Sequence, residues 1–269
     1  MNTITNRIDN TLLRPSFQAS SRRLAKALVH ETLAEWRGLA RMPAFSVPTL
    51  LFPVGFYTMF AVVLPFANTP EAAVTLLVNF TIFGVIGPGL FAFGVGLASD
   101  RDQGWLRLKQ ACPLPVPVMM LARTLGAMVF ALVVVVALFT VAATLGGVRL
   151  ERAAWALLAL VGVLAVVPAS AFGLAFGAWL NARAAMAIVN IAYLGSAVLS
   201  GLWFPLQMMP AKVQSMAPFM PPYHLAELGR QAAGIEAASP AYPVLWLHCA
   251  TILAVAVAMP GLRRPEGKS

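Results

Sequence analysis

Charge is what this sequence has least of. Of its 269 residues only 11% are Asp, Glu, Lys or Arg, and ten are acidic. Soluble domains carry about 25% charged and about 45–50% apolar residues. Here the apolar share is 59% and the mean hydropathy +0.79. Water cannot solvate that composition, so the bilayer is the natural solvent. The ten acids are Asp9, Glu31, Glu35, Glu71, Asp100, Asp102, Glu151, Glu227, Glu236 and Glu266. All are expected in loops, tails or the outer segment, none at mid-helix. An ion-coupled carrier or channel keeps an ionisable group at depth, so that class is disfavoured.

Other scarcities exclude other chemistry. Cys112 and Cys249 are the only cysteines, at no metal-ligand spacing; both are expected to be small buried apolar residues. His30, His224 and His248 form no ligand pair. His224 could approach an outer serine such as Ser215, but a structural or capping role is the simpler expectation. The one Gly-Lys-Ser is Gly267-Lys268-Ser269 at the extreme end, where no helix can follow to cradle phosphates. No catalytic, cofactor-binding or metal-ligating residue is assigned.

The net charge of +9 does not point to nucleic acid, because the basic residues sit in short segments between apolar runs. A transmembrane helix needs roughly 20 apolar residues, each rising about 1.5 Å across about 30 Å of hydrocarbon. Runs of that kind predict six spans, near 46–66, 74–98, 119–146, 153–179, 184–205 and 243–260. Fifteen of the nineteen Lys and Arg then fall on the side of the termini. The positive-inside rule makes that side cytoplasmic. Residues 1–30 hold Arg7, Arg14, Arg22, Arg23 and Lys26 and no apolar core, so no cleavable signal peptide is expected.

Residues 22–41 read as a different helix. Leu24, Leu28, Leu33, Trp36 and Ala40 alternate with Arg23, Lys26, Glu31, Glu35 and Arg37, a pattern suited to the inner membrane interface. Pro43 and Pro48 are expected to break the chain before the first span. Residues 206–242 are rich in Pro yet carry Met208, Met209, Met216, Phe219 and Met220, which suggests short broken helices dipping into the outer leaflet. The expected fold is therefore all-α: a polytopic bundle of six transmembrane helices with an amphipathic interfacial helix and outer re-entrant helices. Tails at 1–21 and 261–269 flank a membrane domain at 22–260.

The segment 99–117 is the most informative. It predicts a charged cytoplasmic helix that ends at Pro113, with Trp105, Leu106 and Leu108 projecting toward a soluble partner. Its Asp100-Arg101-Asp102 cluster, Gly104, Leu106, Leu108 and Pro113 resemble the pattern that follows span two in type-2 ATP-binding-cassette exporter permeases. Ser200-Gly201-Leu202-Trp203-Phe204-Pro205 is similar to the motif ending their fifth span. Pro221-Pro222-Tyr223-His224, with Glu227 and Arg230, is similar to the element after it. The likeness runs over roughly 22–260. It departs at two places, with Asp where Glu is usual in the cluster and Trp105 where Thr is typical.

The resemblance implies a permease without its own ATPase site, which pairs with a second permease copy or a homologous permease. Two cytoplasmic ABC ATPase subunits would dock beneath, and ATP and Mg would be bound by that partner alone. Asp100, Arg101, Asp102, Gly104, Trp105, Leu106 and Leu108 would couple to the ATPase. Leu28, Leu33 and Trp36 would belong to the family's connecting helix. The path would run between spans one, two and five, with Phe52, Phe56, Asn79, Phe83, Asn190 and Tyr193 lining it. For Asn79 and Asn190, interhelical hydrogen bonding is the simpler expectation, as is packing for the aromatic residues. The resemblance places the protein in a bacterial inner membrane, exporting an amphipathic drug, lipid or lipid-linked glycan. A membrane enzyme or assembly factor acting on lipid is the competing class.

Overall fold

The structure, a computed structural model, describes residues 21–64, 69–105, 115–235 and 239–262; all regular structure among them is helical. The order is α1 (Ser21–Ala40), α2 (Pro43–Tyr57) with a π-helical end (Thr58–Val63), α3 (Pro70–Asp102) and α4 (Val116–Thr144). Then come α5 (Arg152–Leu164), α6 (Val166–Trp179) and α7 (Ala182–Leu199). Two 3₁₀ turns (Leu206–Met208, Ala217–Phe219) flank α8 (Ala211–Met216), and α9 (Pro221–Ala232) and α10 (Ala241–Leu262) complete the chain. Six stretches among the described residues are long and apolar enough to cross a bilayer: Phe45–Val63, α3, α4, α5 with α6, α7 and α10. The chain is thus an all-helical, multi-pass membrane protein.

Several boundaries differ from expectation, for local reasons. Pro48 does not break the chain: α2 starts at Pro43, whose missing N–H costs nothing at the first helical position, and absorbs Pro48 and Pro53. The fourth span is two helices meeting at Ala165. Pro168 explains the break, since its ring crowds the carbonyl four residues back, that of Leu164. The fifth span stops at Leu199, six residues early, because Gly201 takes φ +72. The Leu202 amide donates to the Ala197 carbonyl and the Gly201 amide to that of Val198, which together close the helix as a Schellman turn. The second span is longer than expected and runs unbroken to Asp102, so the charged cluster is its last turn and not a separate helix.

That second span, α3, is the axis of the bundle. In its most apolar stretch 94% of the residues are buried. It packs most extensively on α6, then on α4 and α7, and also on α2 and α9. The α3–α6 seam is made by glycine. A Cβ at Gly89 would lie 2.7 Å from the Val166 carbonyl oxygen, and one at Gly173 would lie 2.6 Å from that of Leu90. Gly177 faces the carbonyls of Phe93 and Gly94 in the same way. Lipid is as apolar as leucine, so helices in a bilayer adhere through close contact, which small residues permit.

Replacing Gly177 by Leu is therefore expected to force α3 and α6 apart and destabilise the protein by about 1–3 kcal/mol, the usual range for overpacking. On α2, a Cβ added at Gly55 would meet nothing within 4 Å. Gly55→Ala is expected to leave stability unchanged or raise it by up to about 1 kcal/mol through helix propensity. Thermal unfolding of the two variants in one detergent checks the opposite signs.

Candidate functional site

The charged cluster at the end of α3 is built from three residues that point three ways. Asp100 accepts from Nη2 of Arg123 on α4. Arg123 also reaches α1, donating from Nε to Glu35 Oε2 and from Nη2 to Glu35 Oε1, both at 3.2 Å. Its guanidinium lies 5.9 Å from the ring centre of Phe93. Arg123 is 7% exposed, so this is a buried cation held by two carboxylates from two other helices.

Arg101 turns the other way and donates from Nη1 to the carbonyls of Gly177 at 3.0 Å and Ala178 at 2.5 Å. Those carbonyls are orphans of the α6 carboxyl end, where a cation is favoured by the helix dipole. Asp102 accepts from the Ala182 amide at 2.7 Å, at the amino end of α7 where an anion is favoured. Asn181 caps that helix too, accepting from the Ala184 amide at 2.9 Å. The end of α3 thus caps two facing helix ends joined only by Leu180 and Asn181. The Trp179 indole adds a bond to the Val257 carbonyl of α10 at 2.8 Å.

Just beyond this corner Gly104 takes φ +73, and Trp105 is 53% exposed. Leu106, Leu108, Cys112 and Pro113 lie outside the described residues, as do the tails at 1–20 and 263–269. Within three residues of chain, the corner is bonded directly to α4, α6 and α7, and through Arg123 to α1.

On the amphipathic helix α1, Leu24, Leu28 and Trp36 of the expected apolar stripe are partly buried, while Leu33 and Ala40 are exposed. Thr32, Glu35, Trp36 and Leu39 turn toward the bundle and cross α4 at Gly126, whose Cβ would lie 3.1 Å from the Trp36 amide. Leu28 is half-buried and Leu33 is exposed. Glu35 faces inward because Arg123 receives it. A signal for that pair is present in the sequence: Arg123 stands in the apolar run Val116–Thr144, and a cation there needs an acidic partner.

The six residues expected along a path are not brought to one surface. Phe83 is fully buried and stacks on Tyr193 at 4.8 Å between ring centres, and the Tyr193 hydroxyl donates to the Phe83 carbonyl at 3.0 Å. Asn79 donates to the Gly201 carbonyl at 3.2 Å, tying α3 to the Schellman turn. Phe56 packs on Trp203. Phe52 and Asn190 are exposed, on α2 and α7.

Two smaller expectations also resolve. Cys249 is exposed on α10 rather than buried, since α10 sits at the rim. His224 is fully buried, with Nδ1 3.0 Å from Glu227 Oε2 and Nε2 2.8 Å from the Pro218 carbonyl, and its ring lies 4.4 Å from that of Trp246. It pins α9 to the turn before it and to α10. Ser215 plays no part there; its hydroxyl donates to the Lys212 carbonyl at 2.9 Å.

Removing one member of the buried triad leaves uncompensated charge, which typically costs about 3–5 kcal/mol. Arg123→Met is therefore expected to lower thermal stability sharply. Adding Glu35→Gln and Asp100→Asn to it should restore much of the loss, because no buried charge then remains. Unfolding midpoints of the single and triple variants test this, and equal midpoints would refute the account.

The chain is 26% identical over 200 residues to the Bacillus subtilis (strain 168) protein named "Putative transport permease YvfS", covering 73% of this chain and 81% of that protein. The model of the ABC-2 type transporter family matches residues 28–233, a span that runs from within α1 past the charged corner and the Ser-Gly turn to the end of α9. Because that match spans well over half of the sequence, the chain belongs to the ABC-2 type transporter membrane family.

Proposed function

We infer that this chain is the membrane-spanning subunit of an ATP-driven exporter, energised by a separate cytoplasmic ATPase. Family membership makes it a transport subunit and implies an ATPase partner of the usual kind. The charged corner carries the finer reading. Asp100, Arg101 and Asp102 are three consecutive residues bonded to α4, α6 and α7, immediately before the exposed Trp105. Closure of two ATPase subunits beneath that corner would push α3 axially and, through Arg123 and Glu35, shift α1 with it. The binding energy of ATP and Mg lies in the partner; this chain supplies the linkage.

The distribution of Lys and Arg supports a cytoplasmic side for the corner and both termini, and family resemblance supports a bacterial inner membrane. A second copy, or a homologous permease, would cover the faces of α2 and α7 that carry Phe52 and Asn190. An amide on the bilayer side of a span is costly unless paired, which supports a partner over Asn190. The path would form where those faces meet. Its apolar walls suit amphipathic drugs, lipids or lipid-linked glycans.

The test begins with the full-length tagged chain isolated from its native membranes. ATP hydrolysis should accompany it, and preparations without any would overturn the reading. Gly104→Pro forbids φ +73, and Leu108→Asp places a charge where the partner is expected. Each should leave membrane insertion intact while abolishing the permease-dependent change in ATPase rate. Wild-type coupling in both variants would refute the corner's assignment.

A further inference from the structure

The side of α1 turned away from the bundle is cationic along its whole length. Leu28, Thr32, Glu35 and Leu39, at steps of three and four, form the face that meets the bundle, where α1 packs chiefly on α4. The opposite face runs through Arg22, Lys26, His30, Leu33 and Arg37, with Arg23 beside it and Arg41 just past the helix end. All of these are exposed. The two acids of α1, Glu31 and Glu35, lie off this face, partly buried and with contacts of their own. None of Arg22, Arg23, Lys26, Arg37 and Arg41 has a carboxylate partner among the described residues. The remaining sequence expected on this side does not supply the missing negative charge. In 1–20 Asp9 stands against Arg7 and Arg14, in 263–269 Glu266 stands against Arg263, Arg264 and Lys268, and 106–114 holds Arg107 and Lys109 with no acid.

Helix formation does not account for these charges. The first turn of α1 has no acid, and Arg22, Arg23 and Lys26 stand at its amino end, where the helix dipole opposes a cation. Arg22 and Lys26, four apart, also repel one another. The position of the face narrows what relieves that repulsion. Only Arg41 and Met42 separate α1 from α2, whose span begins at Phe45, and Glu35 ties α1 to Arg123 at the level of the polar corner. On the orientation inferred above, that level is the cytoplasmic membrane interface. A helix laid on the flank of a bundle there turns its far face to the surrounding headgroups, whereas an ATPase beneath would meet the corner at Trp105. Val29 and Leu33, 57% and 39% exposed, sit among the cations. Basic residues interspersed with apolar ones suit a helix resting on anionic lipid.

We propose that this face of α1 binds anionic phospholipid headgroups of the cytoplasmic leaflet. The Arg and Lys side chains reach the phosphates, and Val29 and Leu33 rest at the acyl boundary. The bilayer then holds α1 from outside, as Arg123 holds it from within. The inference rests on the cytoplasmic orientation of α1 but needs neither the ATPase nor a second copy, so its failure would leave the coupling account untouched.

The test uses the full-length chain in phosphatidylcholine nanodiscs, with bimane attached at Ala34→Cys, an exposed position of α1, in a Cys112→Ser, Cys249→Ser background. Phosphatidylglycerol carrying a doxyl group on its chain is compared as quencher with doxyl phosphatidylcholine at equal mole fraction. A preference of about five-fold for the anionic lipid is expected, the gain from one cation at an anionic surface. It should fall toward unity in about 1 M salt, where charges are screened beyond about 3 Å. The combined Arg22→Gln, Arg23→Gln, Lys26→Gln variant should lose it in the same way. Taking the same charge from exposed residues at the other end of the spans, as Arg149→Gln, Arg152→Gln and Lys212→Gln together, should leave the preference as in wild type. Equal quenching by the two lipids in the wild type, or a preference that survives the α1 variant, would overturn the proposal. Equal quenching joined to loss of the co-isolated ATPase from the α1 variant would assign the face to an acidic protein instead. A wild-type preference that ignores salt would also overturn it, so the outcome stands even if the α1 variant does not fold.

Discussion

Backbone meets backbone where α3 crosses α6, and the rest of the molecule depends on that approach. In water, the burial of leucine and phenylalanine would hold two helices together. In lipid that drive is absent, and contact distance takes its place. Gly89, Gly173 and Gly177 provide the distance by leaving no side chain between carbonyl and Cα. Because α6 comes so near, the carbonyls of Gly177 and Ala178 fall within reach of Arg101. The polar corner is thus a product of the apolar seam.

The same logic explains how charge is tolerated near the membrane. Each ionised group of the corner meets either an opposite charge or a helix terminus of opposite polarity. Arg123 receives two carboxylates, Arg101 a carboxyl end and Asp102 an amino end. A long helix buried along its length gives these contacts a stiff base.

What the sequence discloses follows the range of the forces involved. Span number and approximate position come from the length of apolar runs, which depends on nothing but local composition. The end of α7 departs from expectation because Leu202, Trp203 and Phe204 prolong the apolar run past Gly201, whose conformation decides the matter. Pro168 is visible as a helix breaker, yet the run through it is apolar enough to read as one span. The Glu35–Arg123 pair joins residues 88 apart, and amphipathic spacing alone puts Glu35 on the wrong face of α1. Resemblance places Phe83 and Tyr193 on a path; their stacking sets them inside one protomer. Trp105 is exposed just after Gly104, whose positive φ ends the corner.

The link between α6 and α7 consists of Leu180 and Asn181, with Arg101 and Asp102 bonded to either side of it. So short a hinge, clamped on both flanks, has no slack. The ends of α3, α6 and α7 at this corner form one bonded wedge, joined to α10 through Trp179. Freedom to bend is left to the elements outside the wedge, above all α2, with its internal prolines and π-helical end. The molecule is thereby divided into a stiff keel and a pliant flank, and evolution has far less licence to lengthen the chain at Asn181 than anywhere along that flank.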